Sequence, residues 1–200
     1  MAIRILSMLA PPLLALTFAT SATAAPSPTD YTLDAPRSTF KFLFNQAGAE
    51  SQGRFRRFNV ALRFADDNLA ASKLEVTIDV AGLDTGDDER DDTLRSADLF
   101  DVKKFPQARF RASKISRVSA GRYEAIGKLT IRNVTRDVRV PFTFRTASEK
   151  SGLAAYMTGR TVINRLDYGV GQGEWKATDE VANEVAVTFS LRFTPAAPSN

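Results

Sequence analysis

Residues 77–110 read TIDVAGLDTGDDERDDTLRSADLFDVKKFPQARF, two β-patterned runs joined by a long acidic segment that is neither strand nor simple turn. From Asp84 to Asp101 the segment carries eight carboxylates (Asp84, Asp87, Asp88, Glu89, Asp91, Asp92, Asp98, Asp101) against only Arg90 and Arg95. A connection of this length inside a compact domain carries structure of its own or does something. The spacing predicts a short helix over Asp87–Arg95. Its acids crowd the first turns, where the helix dipole favours anions, and Arg95 sits near the end, where a cation is favoured. A second helical turn is expected over Asp98–Asp101, tucking Leu99 and Phe100 under it, with Pro106 barring continuation before the next strand.

Outward from this segment the chain alternates like sheet. Lys73–Val80 is the cleanest strand, with Leu74, Val76, Ile78 and Val80 on one face and Lys73, Glu75, Thr77 and Asp79 on the other. Upstream, Phe40, Phe42 and Phe44 share a face, Gly48 to Gly53 reads as a break, and Phe58, Val60, Leu62 and Phe64 resume at period two. Phe55 is out of phase across Arg56 and Arg57, which predicts a bulge there. Downstream, four further strands are expected over 122–132, 137–146, 153–164 and 184–193, after one over 107–113. Pro141 within them should mark an edge or bulge, because it has no N–H for a ladder. The fold class read from this pattern is all-β: eight antiparallel strands joined mostly by short turns, closed as an extended barrel with one short acidic helix.

An eight-stranded barrel is just wide enough to be filled by its own side chains or to hold one small ligand. Ten phenylalanines (Phe40, Phe42, Phe44, Phe58, Phe64, Phe110, Phe142, Phe144, Phe189, Phe193) fall on inward faces, but so do Ala108, Ala112, Ala125, Gly127, Ala155 and Gly159. Periodicity alone leaves a packed core and a cavity equally open.

Met1–Ala25 carries one charge, Arg4, then an apolar stretch broken by Pro11 and Pro12 and an Ala22-Thr23-Ala24 cleavage pattern. It reads as a cleaved secretory signal peptide, too short and interrupted for a membrane span. Residues 26–200 are then a single domain, expected in the periplasm without stable membrane insertion. Cysteine and histidine are both absent. Disulfide staples are excluded, Ser-His-Asp and Cys-His catalysis lose essential members, and zinc, copper and haem lose their usual ligands. No catalytic residue, metal or cofactor is expected. Outside the leader the net charge is +3, made of −6 over Asp84–Asp101 and +9 elsewhere. Arg54, Arg56, Arg57, Arg132, Arg136 and Arg139 could attract anionic lipid or phosphate but read first as ordinary edge protection on outward strand positions, and no nucleic-acid partner is expected.

Three motifs suggest chemistry. The acidic run invites calcium, yet it lacks the D-x-D-x-D-G spacing, and an acid-rich helix start explains it. Gly169, Gly171 and Gly173 form G-x-G-x-G, but no parallel strand precedes it and no helix follows, so a phosphate loop fails on context. These glycines instead let Tyr168 and Trp175 fold a loop across a barrel mouth. Asn133-Val134-Thr135 reads as turn chemistry before it reads as a glycosylation site.

Several pieces together resemble the YceI-like, polyisoprenoid-binding proteins: Tyr31-Thr32-Leu33-Asp34 with Ser38, Glu89-Arg90-Asp91 through Leu94-Arg95-Ser96-Ala97-Asp98-Leu99-Phe100-Asp101, Lys104-Phe105-Pro106-Gln107-Ala108 with Phe110, Gly127-Lys128-Leu129-Thr130-Ile131 through Val134-Thr135, and Asn164-Arg165 with Asp167-Tyr168-Gly169-Val170. The likeness runs from Tyr31 to Phe193. It implies an exported, lipocalin-like barrel holding an isoprenoid or quinone-type lipid. Members often carry His where this chain has Thr93, and His-Leu-Gly where it has Gln46-Ala47-Gly48.

On that reading the tail would contact Phe40, Phe42, Phe44, Val76, Ile78, Phe110, Leu129, Phe142, Phe144, Phe189 and Leu191, while Arg95 and Tyr168 stand at the mouth for the head group. Each buried methylene contributes about 0.8 kcal/mol, so a long tail supplies its own affinity. The alternative function is a ligand-free interaction module that docks a partner through its acidic helix. A homodimer through edge strands or that helix stays open.

Overall fold

The computed structural model describes residues 27–197, so the signal-peptide reading of 1–25 lies outside the described residues. Eleven strands run in the order β1 (Thr29–Leu33), β2 (Thr39–Gln46), β3 (Ala49–Phe55), β4 (Phe58–Phe64), β5 (Lys73–Asp79), β6 (Leu83–Asp84), β7 (Gln107–Ser119), β8 (Arg122–Ile131), β9 (Val134–Glu149), β10 (Gly152–Asn164) and β11 (Val181–Pro195), with α1 (Asp88–Arg95) between β6 and β7. Every pairing is antiparallel, and β1 pairs with both β4 and β11, closing a ring β1-β4-β5-β7-β8-β9-β10-β11.

The eleven segments are eight strands, three of them kinked. A 3₁₀ turn over Ala35–Arg37 bends β1 into β2, Arg56 and Arg57 interrupt β3 and β4, and Val80–Gly82 bends β5 into β6. The two-residue interruption at Arg56-Arg57 flips the side-chain parity, which puts both Phe55 and Phe58 against the interior. In place of the expected bulge there is a kink, with two residues between Phe55 and Phe58 facing four between their partners Leu83 and Ile78. The expected break over Gly48 to Gly53 is not: only Ala47 and Gly48 turn, both with positive φ, and Ala49–Phe55 is a strand paired with β2. Its polar composition hides it, because Ser51 and Gly53, inward positions ahead of Phe55, carry no apolar signal.

Pro141 sits inside β9 and acts there as a divider. The β9–β10 ladder runs from Gly152↔Glu149 to Gly159↔Phe142 and ends at that point, so the rest of the two strands part. The missing N–H explains where the ladder stops. β6 likewise pairs only with β3, and α1 covers its other edge. The helix begins one residue later than its acidic cap, since the Asp87 carboxylate accepts from Arg90 N at 3.0 Å. Ala97–Phe100 forms turns rather than a second helix, with Leu99 buried beneath them.

Inside the ring the two ends differ. At the closed end an aromatic plug fills the barrel: Phe64 meets Phe144 at 4.4 Å and Tyr123 at 5.1 Å between ring centres, Tyr123 stacks on Phe142 at 5.4 Å, and Tyr31 meets Phe144 edge-on at 5.5 Å. The ring is latched at this end by Arg192, almost wholly buried, which donates to Asp34 at 2.5 Å and Glu149 at 2.5 Å while its backbone N–H reaches Ser38 Oγ. That contact accounts for Asp34 and Ser38 occurring together. Phe142→Ala removes the centre of the plug and should cost about 3–5 kcal/mol of stability, read as a lower midpoint in urea, with no change in the slope if the ring stays closed.

Candidate functional site

Toward the α1 end the barrel is hollow. A cavity of about 400 Å³ lies between the plug and α1, within the range of about 300–1,000 Å³ typical of small-molecule sites. Phe40, Leu74, Phe110, Met157, Phe189 and Leu191 form its floor and belong to the same core as the plug. Phe42, Phe44, Val76, Ile78 and Leu129 line its wall. Its rim is polar and comes from Gln46, α1 residues Asp87, Glu89, Arg90 and Thr93, and Trp175 of the segment after β10.

Nine of the thirteen residues expected at a ligand site line this cavity: Phe40, Phe42, Phe44, Val76, Ile78, Phe110, Leu129, Phe189 and Leu191. The structure places the other four elsewhere. Phe142 and Phe144 lie in the plug, because their parity on β9 points inward where the ring is narrow and full. Tyr168 is 2% exposed and packs in the second core with Ile131 and Val170; burial pushes its phenol above the usual tyrosine range, and Asp167 adds to the shift. Arg95 is held under α1, donating to Ala81 O at 3.2 Å and Leu83 O at 2.8 Å and pairing with Asp91 and Asp92. Its guanidinium supplies the donors that a strand beside β6 would have supplied, so it does not reach the rim.

Two further arginines serve irregular backbone in the same way. Arg132, in the left-handed turn between β8 and β9, donates to Ala97 O at 2.9 Å and to Leu99 O. Arg165 is 5% exposed and donates to five carbonyls, those of Val170, Trp175, Ala177, Val181 and Ala182, at 2.7–3.2 Å. No carboxylate faces it in these bonds, and burial lowers its pKa. The segment 165–182 wraps around this one guanidinium as a strap. Gly169, Gly171 and Gly173 all have positive φ, and a Cβ on Gly171 would lie 2.7 Å from Trp175 O and overlap Arg165. The strap is tied to the turn after α1 by Gly171 N and Gln172 N, which donate to Asp98 O at 3.0 and 2.8 Å. Composition and spacing give no sign of this role for Arg165, since a buried guanidinium with only carbonyl partners leaves no charge pattern.

The acidic segment is spent on structure. Asp84 accepts from Arg54 at 2.7 Å and Arg56 at 2.9 Å, and these two bonds hold its carboxyl at about 2. Asp91 accepts from Thr85 N at 2.9 Å and Thr85 Oγ1 at 2.7 Å. Among the described residues, no three acidic side chains gather where a cation could be held. Gln46 and Thr93 both line the cavity.

The YceI-like domain model matches residues 31–193. The chain belongs to the YceI-like family. Curated relatives of this YceI-like chain include a UPF0312 protein of Vibrio vulnificus strain YJ016, 31% identical over 121 residues, 60% of this chain and 64% of that protein. A UPF0312 protein of Vibrio cholerae is 30% identical over 146 residues, 70% of this chain and 77% of the relative. The chain thus spans less than two thirds of the length of the Vibrio vulnificus relative. Among solved structures, Burkholderia cenocepacia BcnA is similar with a TM-score of 0.75 and 34% identity, over 81% of this chain and 99% of BcnA. A polyisoprenoid binding domain from Saccharophagus degradans shares the fold, with a TM-score of 0.64 at 15% identity over 84% of this chain and 99% of that one.

Two outcomes follow. Arg165→Met leaves five carbonyls without their donor, so the strap should loosen and emission of Trp175, the only tryptophan, should shift to the red while far-UV circular dichroism keeps its β-sheet form. For Asp84 the folded pKa of about 2 lies below the unfolded value, about 3.9. Its contribution to stability is therefore present above about pH 4 and is lost as pH falls through 2. Asp84→Asn should lower the urea midpoint at pH 7 and flatten its decline between about pH 4 and pH 2, measured by urea titrations at stepped pH.

Proposed function

We propose that this YceI-like protein binds a single-tailed isoprenoid lipid, of the prenol or prenyl-quinone kind, with the tail in the hollow half of the barrel and the head at the rim, and that it serves as a periplasmic carrier or store. The observation that carries this reading is the cavity itself: a void of about 400 Å³ walled by apolar side chains and rimmed by polar ones. An apolar chain entering it gains about 0.8 kcal/mol per methylene removed from water. The similarity in fold to a polyisoprenoid binding domain supports the same reading. Export is inferred from the leader-like residues 1–25. Affinity in this arrangement comes from the wall and needs no covalent step, in keeping with a chain that lacks His and Cys.

Protein purified from cells under gentle conditions and analysed by native mass spectrometry should carry a co-purified lipid. Delipidated protein should take up an added prenyl quinone with quenching of Trp175, which stands at the rim. A clean apo mass together with no uptake of prenyl quinones or prenols overturns the proposal.

A further inference from the structure

The cavity's bore at mid-depth depends on a residue with no side chain. Along β2, Phe40, Phe42, Phe44 and Gln46 succeed one another from floor to rim. Phe42 pairs across the β2–β3 ladder with Gly53, which is buried and faces inward. The far end of the Phe42 ring lies over this glycine. A Cβ at position 53 would stand 2.7 and 2.8 Å from Cε1 and Cε2 and overlap Cζ, so its three nearest atoms all belong to the far end of one side chain and none to the backbone. A side chain at position 53 therefore has to lift the ring off the wall. The ring sits between Phe44 at 6.0 Å and Phe55 at 5.0 Å, both also lining the cavity. Lifted, it moves toward the axis, across the path from rim to floor.

A second ring is parked in the same manner: Phe189 lies over Gly159 at the floor, stacked on Phe40 at 5.4 Å. There, however, a Cβ would also stand 2.6 Å from Pro141 O, so the backbone obstructs as well as the ring. Gly53 is the position where the effect on the bore separates from the effect on the fold.

We infer that Gly53, by letting Phe42 lie against the barrel wall, is the specificity-determining residue that holds the channel open to its floor, and that the Gly53–Phe42 pair sets which tails pass. This rests on the reading of the cavity as a tail site. The tail class proposed to pass this point is a slender, single prenyl chain, with a rigid fused-ring lipid expected to be held back by the Phe42 ring.

The test uses delipidated full-length protein and benzoquinones with prenyl tails of one, two and four units, binding being followed by Trp175 quenching and by calorimetry. In the wild type, affinity should rise with tail length. In Gly53→Ala the one-unit homologue should bind within about twofold of wild type, while the four-unit homologue should lose about tenfold or more, the equivalent of roughly two methylenes kept from the wall. A Gly53→Ala protein with the wild-type length dependence overturns the inference. Wild-type affinity that does not vary with tail length overturns instead the tail-site reading beneath it. Phe42→Ala approaches the same waist from the other side and stands in if Gly53→Ala does not fold. It should gain binding of a sterol that the wild type excludes, and failure to gain it overturns the inference as well.

Discussion

This barrel is hollow where its strands part, and strands that part leave backbone groups without ladder partners. Buried carbonyls without donors are expensive, so each gap needs an outside source of N–H. Here three guanidiniums supply it: Arg95 serves the open edge of β6, Arg132 the turn after α1, and Arg165 the strap beyond β10. Guanidinium suits this work because its five N–H groups fan out in one plane and stay protonated. Arg165 uses the whole fan, which is how one buried cation can organise a segment that has almost no regular structure.

The same constraint separates the two halves of the interior. Below the end of the β9–β10 ladder at Phe142 the ring is complete, and large side chains from several strands meet as an aromatic plug. Above it, β9 leaves β10, β6 leaves β7, and the perimeter is completed by α1 and the strap. A wider perimeter encloses more space than its inward side chains fill, and Gly53 lets one of the largest of them fold out of the way. The cavity is thus a product of where pairing stops. Pro141 contributes by lacking a donor, and the acidic segment contributes by forming a helix where a longer β6 would have paired.

Most of the barrel was legible because period-two alternation survives wherever one face is buried: Leu74 to Val80, Phe58 to Phe64 and Val185 to Phe193 announce themselves. The helix was legible for a different reason, the concentration of acids ahead of Arg95. What escaped was structure whose inward positions carry no apolar signal. β3 reads as a break, since Ser51 and Gly53 present no apolar side chain to the interior ahead of Phe55. Arg95 drew attention as a cation near a mouth, yet its partners are carbonyls, and hydrogen bonds to backbone leave no trace in composition. Phe142 and Phe144 had the right parity for the cavity but the wrong height, and height along a strand depends on where neighbouring ladders end.

Wall and rim are also built from different material, which bears on how selectivity divides between them. The wall is strand: its residues are held by ladders on both sides, and a change there alters volume. The rim is helix, turn and strap, where side chains such as Gln46, Thr93 and Trp175 project from segments held by a few charged contacts. Gln46 and Thr93 fall on the rim, while the aromatic ladder of β2 lies below it. Variation there changes the polar mouth of the cavity without disturbing the packing of its wall. The barrel therefore separates an apolar wall fixed by the sheet from a polar rim whose residues can be exchanged without rebuilding it.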